Sequence, residues 1–334
     1  MAHAPKLEIY KIYLKSTTET PNNTFEDYLK SKFKIKTEDY KFKDSHKLFL
    51  ESIVSSIDKD FVLSKKLKKG LGLEQTQSGV TNTAIKINTS KYFIHGTIQG
   101  GRYGQNRSLG NITKPTTRSK INDKNIVLDN FYFLLYTPEG SSKGLLFLQS
   151  YTDDSINEVF INWIKNLLKT DGFYRPTVEH YSPAKIQEEF KRYSIVKELK
   201  YSKDIVINDI GVVNSIDTNG FTVEIVIRAK DQGVSLSKLE KFANFFGAST
   251  FKASNEKGLK LEEFNKKVGQ LNNGSHQSSF VLNDKIEITP TIFLKEKIKL
   301  NADQSPDWVD LHRYCQELLL EVIEEVYPEQ NELS

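Results

Sequence analysis

The chain has 334 residues, enough for about two domains, with 38% hydrophobic and 27% charged side chains. This composition excludes wholesale disorder, no apolar run reaches the length of a membrane-spanning helix, and the single cysteine, Cys315, excludes an intrachain disulfide framework or a multi-cysteine zinc site. The net charge of +4 is unevenly placed, at +10 over residues 1–150, +2 over 151–300 and −8 over 301–334.

In chain order, Leu7 to Lys15 is expected to be a strand, and Asn23 or Thr24 to cap a short helix running to Lys32. Leu48, Leu50, Ile53, Val54 and Ile57 recur at near-helical spacing and predict a helix from Asp44 to Ile57. Residues 58–79 read as a polar connector. Strands are expected near 80–88 and 91–99, followed by a long Gly, Asn, Thr and basic loop, 100–124. Phe131 to Tyr136 and Gly144 to Gln149 predict two strands joined by a turn at Pro138-Glu139-Gly140. A helix capped by Thr152 or Asp153 follows, carrying Ile156, Val159, Phe160, Trp163, Ile164, Leu167 and Leu168.

The segment around Pro176 and Pro183 is taken as a domain junction. Beyond it, strands are expected near 195–201, 205–208, 210–216 and 221–229, and helices over 235–246 and 261–268. Strands near 278–283, 285–293 and 295–300 then precede an acidic helix, 306–326. The expected fold class is α+β, with two domains of largely antiparallel sheet, each ending in a long amphipathic helix packed on its sheet. Their predicted bounds are 1–172, basic and carrying the Gly/Arg-rich loop 100–124, and 173–334, ending in the acidic helix.

The charge layout carries the leading functional reading. No acid occurs between Glu74 and Asp123, a stretch that holds Lys86, Lys91, Arg102, Arg107, Lys114, Arg118 and Lys120. With Tyr103 as a stacking surface, these residues are expected to contact nucleic-acid backbone with little sequence preference. Glycines at 96, 100, 101 and 104 are expected to let backbone N–H groups approach a phosphate. The alternative is a protein–protein interaction subunit, or a homo-oligomer, that docks through Trp308, Leu311, Leu318, Glu321 and Glu325.

A third reading is a two-histidine phosphodiesterase centred on His95 and Thr97. It rests on the pattern His-x-Ser/Thr, which recurs at His180 and His276 and needs a second histidine within reach of His95. A restriction-type metal nuclease on the strand 221–230 is disfavoured, because Glu224 and Lys230 are six residues apart. No cofactor, no metal and no membrane contact is expected, and the cytoplasm is the expected compartment.

The run Ile94-His95-Gly96, Gly100-Gly101-Arg102-Tyr103-Gly104 and then Gly144-Leu145-Leu146-Phe147-Leu148-Gln149-Ser150 resembles proteins that accompany bacterial anti-phage systems. That resemblance implies a place in a larger bacterial assembly and assigns no residue a role.

Overall fold

The fold is described from a computed structural model. The described residues are 3–18, 23–35, 40–57, 60–73, 85–114, 116–205, 221–230, 234–235, 250–251, 259–260, 264–272, 277–282, 286–288 and 290–328. Among them the chain is α+β, with five helices and only antiparallel strand pairs. Its contacts divide it into two units, Met1–Tyr181 with Ile292–Ser334, and Ser182–Thr291.

The first unit is built on one large sheet. Its strands are β1 (Pro5–Tyr13), β2 (Val62–Ser64), β3 (Lys69–Gly72), β4 (Ile85–Asn88), β5 (Phe93–Tyr103), β8 (Ile126–Tyr136), β9 (Lys143–Tyr151) and β10 (Thr177–Tyr181). The order is β10-β1-β9-β8-β5-β3-β2, with β4 also pairing β5 and the short strand Ile292–Phe293 pairing β1. Between β5 and β8, β6 (Arg107–Gly110) and β7 (Arg118–Ile121) form a separate two-stranded ribbon.

The central strands are buried on both faces. Every residue of β8 from Phe131 to Tyr136 and of β9 from Gly144 to Tyr151 is buried. A strand covered on one side only would alternate apolar and polar residues, so this pattern demands a layer on each face. On one face, Ile94, Ile98, Phe131, Phe133, Leu135, Leu146 and Leu148 pack with α1 (Phe25–Phe33), α2 (Phe42–Ser55) and α3 (Asn157–Leu167). α1 starts at a capping box in which Thr24 Oγ1 accepts from the Asp27 amide and the Asp27 carboxylate accepts from the Thr24 amide, each at 3.2 Å. Asn23 instead accepts from the Ser16 amide.

The opposite face carries Phe93, His95, Tyr132, Leu134, Tyr136, Leu145 and Phe147, and the terminal helix, Trp308–Val326, lies on it. Leu311, Cys315, Leu318, Leu319, Val322 and Val326 are its buried residues. Asp307 caps the helix by accepting from the Val309 and Asp310 amides at 3.0 Å. At its far end the Tyr327 hydroxyl donates to the Lys143 carbonyl at 2.9 Å, and its ring meets Tyr136 edge-on.

The second unit holds α4 (Ala184–Tyr193), β11 (Ile195–Ile205), β12 (Phe221–Arg228), β13 (Val234–Ser235), β14 (Thr250–Phe251), β15 (Leu259–Lys260), β16 (Lys266–Asn272), β17 (Gln277–Leu282) and β18 (Ile286–Ile288). Its main sheet runs β12-β11-β16-β17-β18, with β13 also on β11 and β14 pairing β15 apart. Phe190, Val196, Leu199, Tyr201, Phe264, Leu271 and Phe280 form its core.

Several expectations are corrected. About half of the loop 100–124 is strand, comprising the end of β5 and the ribbon, because its polar residues pair through backbone rather than through side-chain burial. The connector 58–79 contains β2 and β3, which extend the sheet at its edge. Residues 266–268, expected as helix, are strand, and Leu294–Glu296 is a 3-10 turn where the sequence predicts a strand. The acidic terminal helix packs in the first unit and so does not close the second half. α3 begins at Asn157, because Asp154, expected to lie inside it, is held by Lys69. The helix 235–246 and the strands near 205–208 and 210–216 fall wholly or mostly outside the described residues.

Gly100 and Gly101 sit in β5, where a side chain would collide on either face. A Cβ at Gly101 would come within 1.7 Å of the Val127 carbonyl oxygen, and one at Gly100 within 2.7 Å of Ile156. These glycines let backbone meet backbone, which replaces the phosphate-nest role expected of them. Gly101→Ala is expected to lower stability in urea unfolding by at least about 1–3 kcal/mol. Gly110→Ala, with nothing within 4 Å of the added carbon, is expected to change it by less than about 0.5 kcal/mol.

Candidate functional site

The ribbon is an exposed basic element. All of β6 is exposed, as is β7 up to Lys120. Residues directly opposite share a face, so Arg118 and Lys120 stand together against Gly110 and Ser108, two small neighbours that leave both cations open. Arg107 lies on the other face, where its guanidinium is held by the Gln105 side-chain carbonyl. Among the described residues, no carboxylate lies within ion-pair distance of Arg107, Lys114, Arg118 or Lys120. The tip is closed by Asn111, whose side-chain oxygen accepts from the Thr113 and Lys114 amides at 2.9 Å. A shallow hollow of about 340 Å³ opens there between Ser108, Gly110, Asn111, Ile112 and Arg118. At the base, Gly104 takes a φ of +80° and its amide donates to the Asp123 carbonyl.

The other expected nucleic-acid contacts separate from the ribbon. Lys86 is exposed on β4, directly across from His95, and Lys91 is exposed in the turn before β5. Arg102 lies 3.8 Å from Asp154, which also takes Lys69 at 3.0 Å. Tyr103 is partly buried, donates to the Ser64 carbonyl at 3.3 Å and has the Lys68 ammonium over its ring, so it is not the free stacking surface expected of it. On the terminal helix, Leu311 and Leu318 are core residues of the first unit. That burial corrects their assignment as partner contacts. Trp308 is half-buried, while Glu321 and Glu325 are exposed. Glu224 is paired with Lys200 at 2.7 Å.

A second site is only half legible in the sequence. His95, on β5, stacks face to face with His312 of the terminal helix, with ring centroids 3.5 Å apart and planes within 5°. The Tyr132 hydroxyl lies 2.8 Å from His312 Nδ1. Thr97 shares the strand face of His95 and lies across from Tyr132. Burial holds both imidazoles below their ordinary titration range, aided in each by the Lys86 charge. His95, which also bears the cost of charging beside His312, is pushed down to about 3. His180, the partner expected from sequence, lies on the opposite face of the sheet, edge-on to Tyr10, and His276 lies outside the described residues. Sequence reasoning misses His312 because Tyr314 stands where the His-x-Ser/Thr pattern needs Ser or Thr. Only the fold joins residues 217 positions apart.

A third polar cluster has a fainter sequence signal. Glu8 accepts from Tyr10 at 2.7 Å, from Lys6 at 3.2 Å and from the Asn157 amide nitrogen, inside the face covered by α1–α3. Those three partners outweigh burial and hold the Glu8 carboxyl below its ordinary range. The signal is Lys6, Glu8 and Tyr10 alternating with Leu7, Ile9 and Lys11. Among the described residues, no group of three or more His, Cys, Asp or Glu is gathered as a metal site. Comparison with protein-family models, curated proteins and solved structures gives no match.

His46 is fully buried, with Nε2 2.7 Å from Thr137 Oγ1, and burial pushes it down to about 4. A histidine whose folded pKa is depressed stabilises the fold above its unfolded value of about 6.5, and this contribution is lost as pH falls below it. Unfolding midpoints are therefore expected to drop between about pH 6.5 and 4. The drop should be shallower in His46→Gln, which a pH series of thermal melts would show.

Proposed function

We propose that this protein binds nucleic-acid backbone through the ribbon β6–β7. The observation that carries this reading is the placement of Arg118 and Lys120 on one exposed face, with Arg107 on the other and no carboxylate within ion-pair distance of any of them among the described residues. Two strands tied at the base by Gly104 and at the tip by Asn111 hold these cations at fixed spacing. The entropy of arranging them is thus met by folding, which favours a repeated anionic partner over a single counterion. Lys outnumbers Arg 40 to 7, which suits point contacts to phosphate more than reading of base edges. Lys124 is exposed near the base of the ribbon and adds a further positive charge there.

The resemblance to proteins that accompany bacterial anti-phage systems supports a role within a larger bacterial assembly, and the outer side of the terminal helix, where Glu321 and Glu325 are exposed, is where a protein partner or a second copy would dock. On this reading the two units act as separate domains, and contact with nucleic acid belongs to the first.

A polarisation titration with labelled duplex and single-stranded oligonucleotides tests the proposal. The triple variant Arg107→Ala, Arg118→Ala, Lys120→Ala is expected to weaken binding and to reduce the salt slope by about 0.9 for each phosphate that is no longer neutralised. Unchanged affinity and slope in the triple variant, or no binding by the parent protein at low salt, would overturn it.

A further inference from the structure

The stacked imidazoles are built for more than packing. Nδ1 of His312 is engaged by Tyr132, which fixes the ring and leaves Nε2 unpartnered among the described residues. Neither nitrogen of His95 has a hydrogen-bond partner among them either, and none of these three nitrogens is sealed from solvent. A pair whose task was to pin the terminal helix would have these nitrogens satisfied or shut in. Instead two bases open side by side, with the Lys86 ammonium across the strand from one of them and the Thr97 hydroxyl on the same face.

We propose that His95 and His312 form a centre that cleaves RNA by transferring the phosphodiester to the neighbouring 2′-hydroxyl, with His95 as base and His312 as acid. The inference is independent of the ribbon contact. In the step, His95 takes the proton from the 2′-hydroxyl as the O2′–P bond forms. The P–O5′ bond breaks, and His312 gives its proton to the departing O5′. The products are a 2′,3′-cyclic phosphate end and a 5′-hydroxyl end. The attacking oxygen belongs to the substrate, so the step balances without water, metal or redox partner. Lys86 pairs with a non-bridging oxygen, and the Thr97 hydroxyl donates to the other.

The two histidines are unequal in a way that assigns their roles. Their environments push their titrations apart, because His95 is the more buried and bears the cost of charging beside His312, while the Lys86 charge acts on both. His312 therefore protonates first. The charged and titratable groups around the pair are Lys86 on β4, Tyr132 on β8 and the buried Cys315 on the terminal helix, with Phe93 supplying an apolar side. A bound phosphodiester anion opposes the Lys86 charge and favours the protonated His312. Tyr132 is a positioning residue, acting through the ring it holds.

The test is incubation of the full chain, in the presence of EDTA, with a labelled single-stranded RNA of mixed sequence from acidic to neutral pH. Expected are cyclic-phosphate ends by mass spectrometry, an optimum below about pH 6.5, and no cleavage of the same sequence as DNA or 2′-O-methyl RNA. His95→Gln and His312→Gln are each expected to lower the rate by about a hundredfold or more. Lys86→Ala, an exposed position that does not threaten the fold, is expected to lower it by about a hundredfold. Tyr132→Phe is expected to shift the pH profile as well as the rate. Absence of cleavage by the parent protein, cleavage abolished by EDTA, or cleavage that survives both histidine substitutions would each overturn the proposal. Ribbon variants report on binding alone, so failure of either reading leaves the other standing.

Discussion

A sheet whose central strands are apolar on both faces must be covered twice, and the rest of the first unit follows from that requirement. β8 and β9 present Phe131, Phe133, Leu146 and Leu148 to one side and Tyr132, Leu134, Leu145 and Phe147 to the other. At about 1.5–3 kcal/mol for each large side chain removed from water, neither face can be left open in a fold of ordinary stability. α1, α2 and α3 come from neighbouring sequence and cover the first face. The second face waits for the terminal helix, which returns after the whole of the second unit.

That long return is what creates the histidine pair. His95 faces outward from β5 toward the side the terminal helix covers, and His312 lies one turn into that helix, beyond the Asp307 cap. The same docking places Tyr132 against His312 and leaves Lys86 exposed at the margin. A packing demand in the core thus sets the spacing of ionisable groups at the edge. The Glu8 cluster has a different origin. There Lys6, Glu8 and Tyr10 share one face of β1 and meet Asn157 at the start of α3, and their mutual hydrogen bonds satisfy charges that the surrounding core cannot.

Much of the element pattern is legible in the sequence, and the reasons are local. The helical spacing of Leu50, Ile53 and Ile57, the Thr24 cap and the apolar run before Pro138 each act over a few residues. The ribbon reads as loop because Arg107, Ser108, Arg118 and Lys120 bury nothing, so no hydrophobic period marks them. The layer that the terminal helix joins is hidden for a related reason. The continuous apolar run Phe131 to Tyr136 announces two covered faces, but it does not say which later segment supplies the second cover. His95 stands out in the sequence by its glycine-rich context, while His312 has no local signature.

The first unit depends on the terminal helix as the second cover of its sheet. Hydrogen exchange on a chain ending at residue 305, compared strand by strand with the intact protein, tests this most directly. Loss of protection across β5, β8 and β9, together with loss of the cooperative urea transition of the first unit, is the predicted result. Exchange in β8 and β9 as slow as in the intact chain would contradict it.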